Sequence, residues 1–153
     1  MACDFRLSGI AAAALVLALA GCAASEKRPA AGDDSAQDKA VYHISDTVQQ
    51  TRLAMQYIRN HLEVSPKAKI VVVAHANGVD FLMDGAQDKN GNPYNIPVEE
   101  LALRGVRFEV CEITLRERRL KREQFIPEAT FVPSGVAEIA KLQQRQGYAY
   151  LKP

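Results

Sequence analysis

The sequence predicts an α/β fold, a three-layer α/β/α sandwich around a five-stranded, mainly parallel sheet. Three observations predict it. Residues 69–75 (Lys-Ile-Val-Val-Val-Ala-His) form a continuous apolar run between polar ends, the pattern of a strand covered on both faces. Strand-like runs alternate with stretches of helical apolar spacing along residues 40–153, the order of successive βαβ units. Asp46, His75 and Cys111 close three successive strands, and parallel sheets place their sites at the carboxyl ends of strands.

The elements follow in order. Residues 40–45 read as a short strand closed by Asp46, which caps a helix opening at Thr47. Thr51, Met55, Ile58 and Leu62 recur at helical spacing in it, and Ser65-Pro66 stops it. After the apolar strand, Asn77-Gly78 turns the chain into a short helix over 79–83, and 84–95 is a polar loop. A second short helix spans 97–103, with Pro97 in its first turn. Arg104-Gly105 turns into a strand in which Val106, Phe108 and Val110 share one face, while Arg107, Glu109 and Cys111 share the other. Thr114 reads as the N-cap of a charged helix over 115–125. A strand at 129–132 and Pro133-Ser134-Gly135 lead into a helix with Val136, Ile139, Ala140 and Leu142 on one side. Gly147 ends it, and 148–152 is the last strand.

The first forty residues read as targeting sequence rather than fold. Residues 10–20 are an apolar run of Ala, Leu and Val, too short to span a bilayer, ending in Leu19-Ala20-Gly21-Cys22. That ending resembles the bacterial lipobox, which implies a signal peptide over 1–21, cleavage before Cys22 and acylation of its thiol. Ala23 in place of Asp resembles outer-membrane sorting. The expected location is therefore the periplasmic face of a bacterial membrane, the outer rather than the inner. Residues 22–39 carry no aliphatic side chain larger than Ala and read as a lipidated cysteine with a flexible tether. Residues 40–153 are then one domain.

Charge excludes some functions. Nineteen basic and 18 acidic residues leave a net charge of +1, so nucleic acid is not an expected partner. There is no Gly-rich phosphate loop, no Cys/His spacing of a zinc or iron–sulfur site, and no expected cofactor or metal. Asp88, Asn90, Asn92 and Glu99 fit positions of a calcium loop, but Pro93 stands where that loop needs Gly, so a turn-rich loop is expected. The run 116–123 is strongly basic. Its i,i+4 pairs Glu117–Lys121 and Arg119–Glu123 read as a solvated helix face; alternatively its cations attract a small anion or an acidic partner.

Cys111 is the chemistry candidate. With Cys3 lost and Cys22 acylated it has no partner within the chain, and a thiol before a helix start feels the positive end of the macrodipole. The plain alternative is a small apolar side chain packed in a strand. His75, on the neighbouring strand, is positioned either to exchange a proton with Cys111 or to tie a loop carbonyl. His43, inside the first strand, reads as a packed histidine.

An ordered set of segments resembles one family. Residues 43–46 (His-Ile-Ser-Asp), 70–75 followed by Gly78, Val79, Phe81 and Leu82, 101–111, 132–136 and 146–150 (Gln-Gly-Tyr-Ala-Tyr) are similar to the DsrE/DsrF-like family. The resemblance implies a five-stranded parallel sheet between helices and homo-oligomers such as trimers or hexamers. It implies a persulfide on a cysteine at the end of the equivalent strand, which Cys111 matches, and hence a sulfur carrier or sulfurtransferase-like relay protein. Cys111 and His75 are the catalytic candidates, Cys22 the lipidation site, and Asn77, Arg116 and Arg119 the candidate contacts to an anion or partner. The expected partners are a sulfur donor or acceptor protein or a small sulfur species. The other function class is a non-catalytic oligomeric binding or assembly module with a structural cysteine.

Overall fold

The computed structural model describes residues 37–153. Five parallel strands, β1 (Lys39–Asp46), β2 (Lys69–Asn77), β3 (Arg107–Cys111), β4 (Ala129–Val132) and β5 (Ala149–Leu151), form one sheet in the order β4-β3-β2-β1-β5. The helices are α1 (Thr47–Val64), α2 (Asn95–Leu103), α3 (Glu112–Arg118) and α4 (Gly135–Gln146). The chain steps outward from β1 through β2 and β3 to β4, then returns across the sheet to add β5 beside β1. If all four crossovers keep one hand, that reversal must carry the last helix to the opposite face. It does. Leu62 of α1, Val98 and Leu101 of α2 and Leu115 of α3 join the core on one face. Ile139 and Leu142 of α4 close a smaller core with Val41, Val71, Val73 and Tyr148 on the other.

Strand alternation divides the sheet between these cores. Tyr42, Ile44, Val72, Ala74, Phe108 and Val110 point into the larger one, where Phe81 packs edge-on against Phe108 with ring centroids 6.3 Å apart. Val71, Val72 and Val73 are all shielded from solvent, each burial contributing about 1.5–3 kcal/mol. That is why β2 reads as an unbroken apolar run: it is central and has no wet face.

Several expectations fail locally. The helix after β3 begins three residues early, with Cys111 rather than Thr114 as N-cap, and it ends at Arg118 rather than running to residue 125. Arg119 takes the left-handed conformation (φ 56°), and the Leu120 N–H returns to the Leu115 carbonyl, closing a Schellman turn. The chain stops there because residues 124–126 are needed elsewhere. Ile126 N–H donates to the Leu82 carbonyl, Asp84 N–H to that of Gln124, and Phe125 and Ile126 are buried. The Glu117–Lys121 and Arg119–Glu123 pairs therefore do not form. Arg122 reaches Glu112 and Arg118 reaches Asp80 instead. In α4, Val136 is 64% exposed and Ala140 is exposed, so its buried side is Gly135, Ile139 and Leu142. The segment 79–83 forms only a 3-10 turn, Asp80–Leu82.

Candidate functional site

β3 and β4 are neighbours whose outgoing helices leave toward opposite faces, α3 toward the larger core and α4 toward the smaller. Partings of this kind are where open α/β sheets place their sites, beyond the carboxyl ends of the strands. Cys111, the last residue of β3, stands there. It is the free cysteine of the described residues and is buried, with 5% of its surface exposed.

The thiol sits where α3 and α4 both begin. Burial pushes it up, but the polar groups of Gly135, Thr114 and Ile113 at the two helix starts outweigh that, holding it below the ordinary thiol range. Gly135 packs closely. A Cβ there would lie 3.2 Å from the Cys111 Cβ, 3.3 Å from Val73 Cγ1 and 3.5 Å from the His75 Cβ. Thr114 ties the site to β2: its oxygen accepts from the Ala76 N–H at 2.9 Å. Ala76 has φ 50°, a left-handed conformation unusual for alanine, and Arg118 Nη1 donates to its carbonyl at 3.0 Å. The α3 arginine thus braces the loop that follows His75.

His75, two residues before the end of β2, and Cys111, the last residue of β3, stand on adjacent strands one step beyond the Ala74–Val110 pair, on the face covered by α4. His75 is not tied to a loop carbonyl, nor is a hydrogen bond to Cys111 found among the described residues. Its Nε2 meets Nε2 of His43, the two rings stacked 4.7 Å apart, and His43 Nδ1 lies 2.6 Å from the Tyr150 hydroxyl. Two tautomer sets satisfy this row: Tyr150 donates to His43 Nδ1 and His43 Nε2–H to His75 Nε2, or His75 Nε2–H donates to His43 Nε2 and His43 Nδ1–H to the Tyr150 oxygen. Burial, then His75, then Lys152 lower His43 to about 4; burial and Lys152 also lower His75. Both rings are therefore neutral near pH 7.

The other expected residues scatter. Asn77 is exposed, and its carbonyl accepts from the Thr47 hydroxyl at 2.8 Å. Arg116 and Arg119 are exposed on α3 and its final turn. Cys22 lies outside the described residues. Asp46 caps α1 by accepting from the Gln49 N–H. Asp88 spends its carboxylate on the N–H groups of Asn90 and Asn92, a local turn, and no group of three metal-ligating side chains occurs among the described residues. A groove of about 930 Å³ between the start of α1 and the 87–90 loop includes neither Cys111 nor His75.

His43, Tyr150, Thr114 and Gly135 were not foreseen as parts of the site. Only the alternation of β1 and β2, which turns His43 and His75 to the same face as Cys111, carried a hint of them.

The sequence matches the DsrE/DsrF-like family over residues 10–153. The chain belongs to the DsrE/DsrF-like family. Two solved structures share its fold. A protein of unknown function, MTH1491, from Methanobacterium thermoautotrophicum is 30% identical with a TM-score of 0.68, the match covering 76% of this chain and 100% of that one. The ychN protein from E. coli is 13% identical with a TM-score of 0.61 over the same shares, a likeness of fold alone. Nothing among curated proteins matches the chain. The five-stranded parallel sheet with helices is thus the DsrE-like architecture, and the site above is this member's version of its carboxyl edge.

Proposed function

We propose that this DsrE-like chain is exported, anchored through acylated Cys22 on the periplasmic face of a bacterial membrane, the outer in preference to the inner, and carries sulfane sulfur on Cys111. The observation that supports the carrier role is the meeting of the starts of α3 and α4, with their N–H donors, at one thiol. In the reaction, the Cys111 thiolate attacks the terminal sulfur of a persulfide or polysulfide. The donor's S–S bond breaks, its thiolate leaves with the electron pair, and a new S–S bond forms on Cys111. No outside oxidant is needed, since the sulfur moves at its existing oxidation level. The same donors that hold the thiolate are placed to hold the anionic persulfide. With 5% exposure, the thiol favours slim, linear donors over bulky ones. A homo-oligomer, trimer or hexamer, is the expected state, and a sulfur donor or acceptor protein the expected partner.

The test is intact mass after treatment with polysulfide. Persulfidation adds about 32 Da, and the adduct is absent in Cys111→Ser. The low exposure favours a second reading, a structural thiol in a non-catalytic assembly module. No adduct in the native protein, with one appearing only after unfolding, would establish that reading.

A further inference from the structure

A parallel sheet gathers all its strand starts on one edge, and here the part of that edge around β2 and β3 is cationic. Lys67, Lys69, Arg104 and Arg107, which lead into β2 and β3, line a groove of about 540 Å³ to which no aspartate or glutamate contributes. Among the described residues, Lys67, Lys69 and Arg104 form no ion pair, and Arg107 reaches Glu109 only at 3.6 Å. The whole chain carries only +1, so this is charge concentrated in one place rather than a general excess. The chain also enters here. Gln37 lines the groove, and its amide donates to the Lys67 carbonyl.

We infer that this edge is a docking surface for anionic phospholipid headgroups, which seats the domain on the bilayer with Cys111 turned away from it. The inference rests on the reading of Cys22 as an acylated anchor. Residues 23–36, fourteen in all, separate that cysteine from Gln37 and span at most about 50 Å even when fully extended. A domain so held meets the membrane first with the end that bears the tether, and that end bears the unpaired cations. Guanidinium and ammonium groups suit phosphate oxygens, and each one near an anionic surface strengthens partitioning by about fivefold within roughly a Debye length. Cys111 lies at the far end of the strand that Arg107 begins, so this seating leaves the sulfur site facing the aqueous phase.

Vesicle flotation of the full chain tests this, comparing phosphatidylcholine vesicles with vesicles containing phosphatidylglycerol in equal part. The anionic-to-neutral partition ratio cancels whatever the apolar N-terminal run contributes. The ratio is expected to be at least about tenfold at low salt, to fall as salt rises, and to drop toward one in Lys67→Gln/Lys69→Gln/Arg104→Gln with the circular dichroism unchanged. Removing two cations at the other end, Arg116→Gln/Arg119→Gln, should leave most of it. A ratio that survives the triple substitution, or that falls equally in both variants, overturns the proposal. Release from anionic vesicles by millimolar inorganic phosphate at constant ionic strength also overturns it, by assigning the groove to a free anion. The mass of Cys22 after bacterial expression is read separately, so failure of the anchor is distinguishable from failure of the surface.

Discussion

Thr114 joins the two halves of the site with a single oxygen. It is 3% exposed, accepts from Ala76 N–H and helps hold the Cys111 thiol below the ordinary range. Thr114→Val keeps the shape but strands a buried donor and removes a polar group that favours the thiolate. The expected cost is about 1–3 kcal/mol of stability, with a rise in the pH at which Cys111 becomes alkylated by a small reagent. Thr114→Ser should restore both. A pH–rate profile that does not move in the valine variant would remove the hydroxyl from the site. His43 makes a different prediction. Its folded value is depressed to about 4, against an ordinary 6.5, so between those values the unfolded chain binds more protons than the folded one. Its contribution is present above about pH 6.5 and is lost as pH falls toward 4. Urea midpoints measured across that window should decline, and His43→Gln should flatten the decline. At this scale the sequence was only partly legible. Cys111 and His75 stood out as residue types at strand ends. The role of His43 depends on the relative register of β2, β1 and β5, which no single segment encodes.

At the scale of elements, the glycines at 78 and 135 set how closely the loops approach. A Cβ at Gly78 would fall 2.2 Å from the Ile44 carbonyl oxygen, so the turn after β2 presses on the end of β1. Gly78→Ala is expected to destabilise by about 3 kcal/mol, read from denaturant unfolding. Gly135→Ala is a gentler change. Alanine suits a first helical turn better than glycine, which offsets the 3.2 Å contact with the Cys111 Cβ, so stability should change by less than about 1 kcal/mol. The Gly135 N–H nevertheless shifts away from the sulfur, and alkylation of Cys111 near neutral pH should slow several-fold. The limits of the elements themselves divide into legible and illegible. Ser65-Pro66 and Gly147 end α1 and α4 as their local chemistry dictates. The end of α3 was not readable, because Arg119 ends a run of good helix formers only to let residues 124–126 pair with 82–84. That is a tertiary demand on a locally helical sequence.

For the whole molecule, burial and topology predict a graded stability. β2 lies at the middle of the sheet with both faces covered, whereas β5 is an edge strand of three exposed residues. Native-state hydrogen exchange should find the β2 amides opening only with global unfolding and those of β5 exchanging first, with β4 between them. Equal protection in β5 and β2 would require the edge to be covered by a second copy, as the expected homo-oligomer allows. The architecture as a whole was the most legible part of the chain. The apolar run at 70–74 fixes a central strand, and alternating periods fix its neighbours, because these signals come from burial and not from fine geometry.

Pro153 has a practical bearing. Its carbonyl accepts from the Gln50 amide at 3.1 Å, just past Tyr150 and Lys152, which sets it beside the histidine pair. An affinity tag or fluorescent fusion appended after Pro153 would perturb both imidazoles. Assays of sulfur loading are better run without one, and a fusion at that point that lowers the signal should be taken first as disturbance of the histidines.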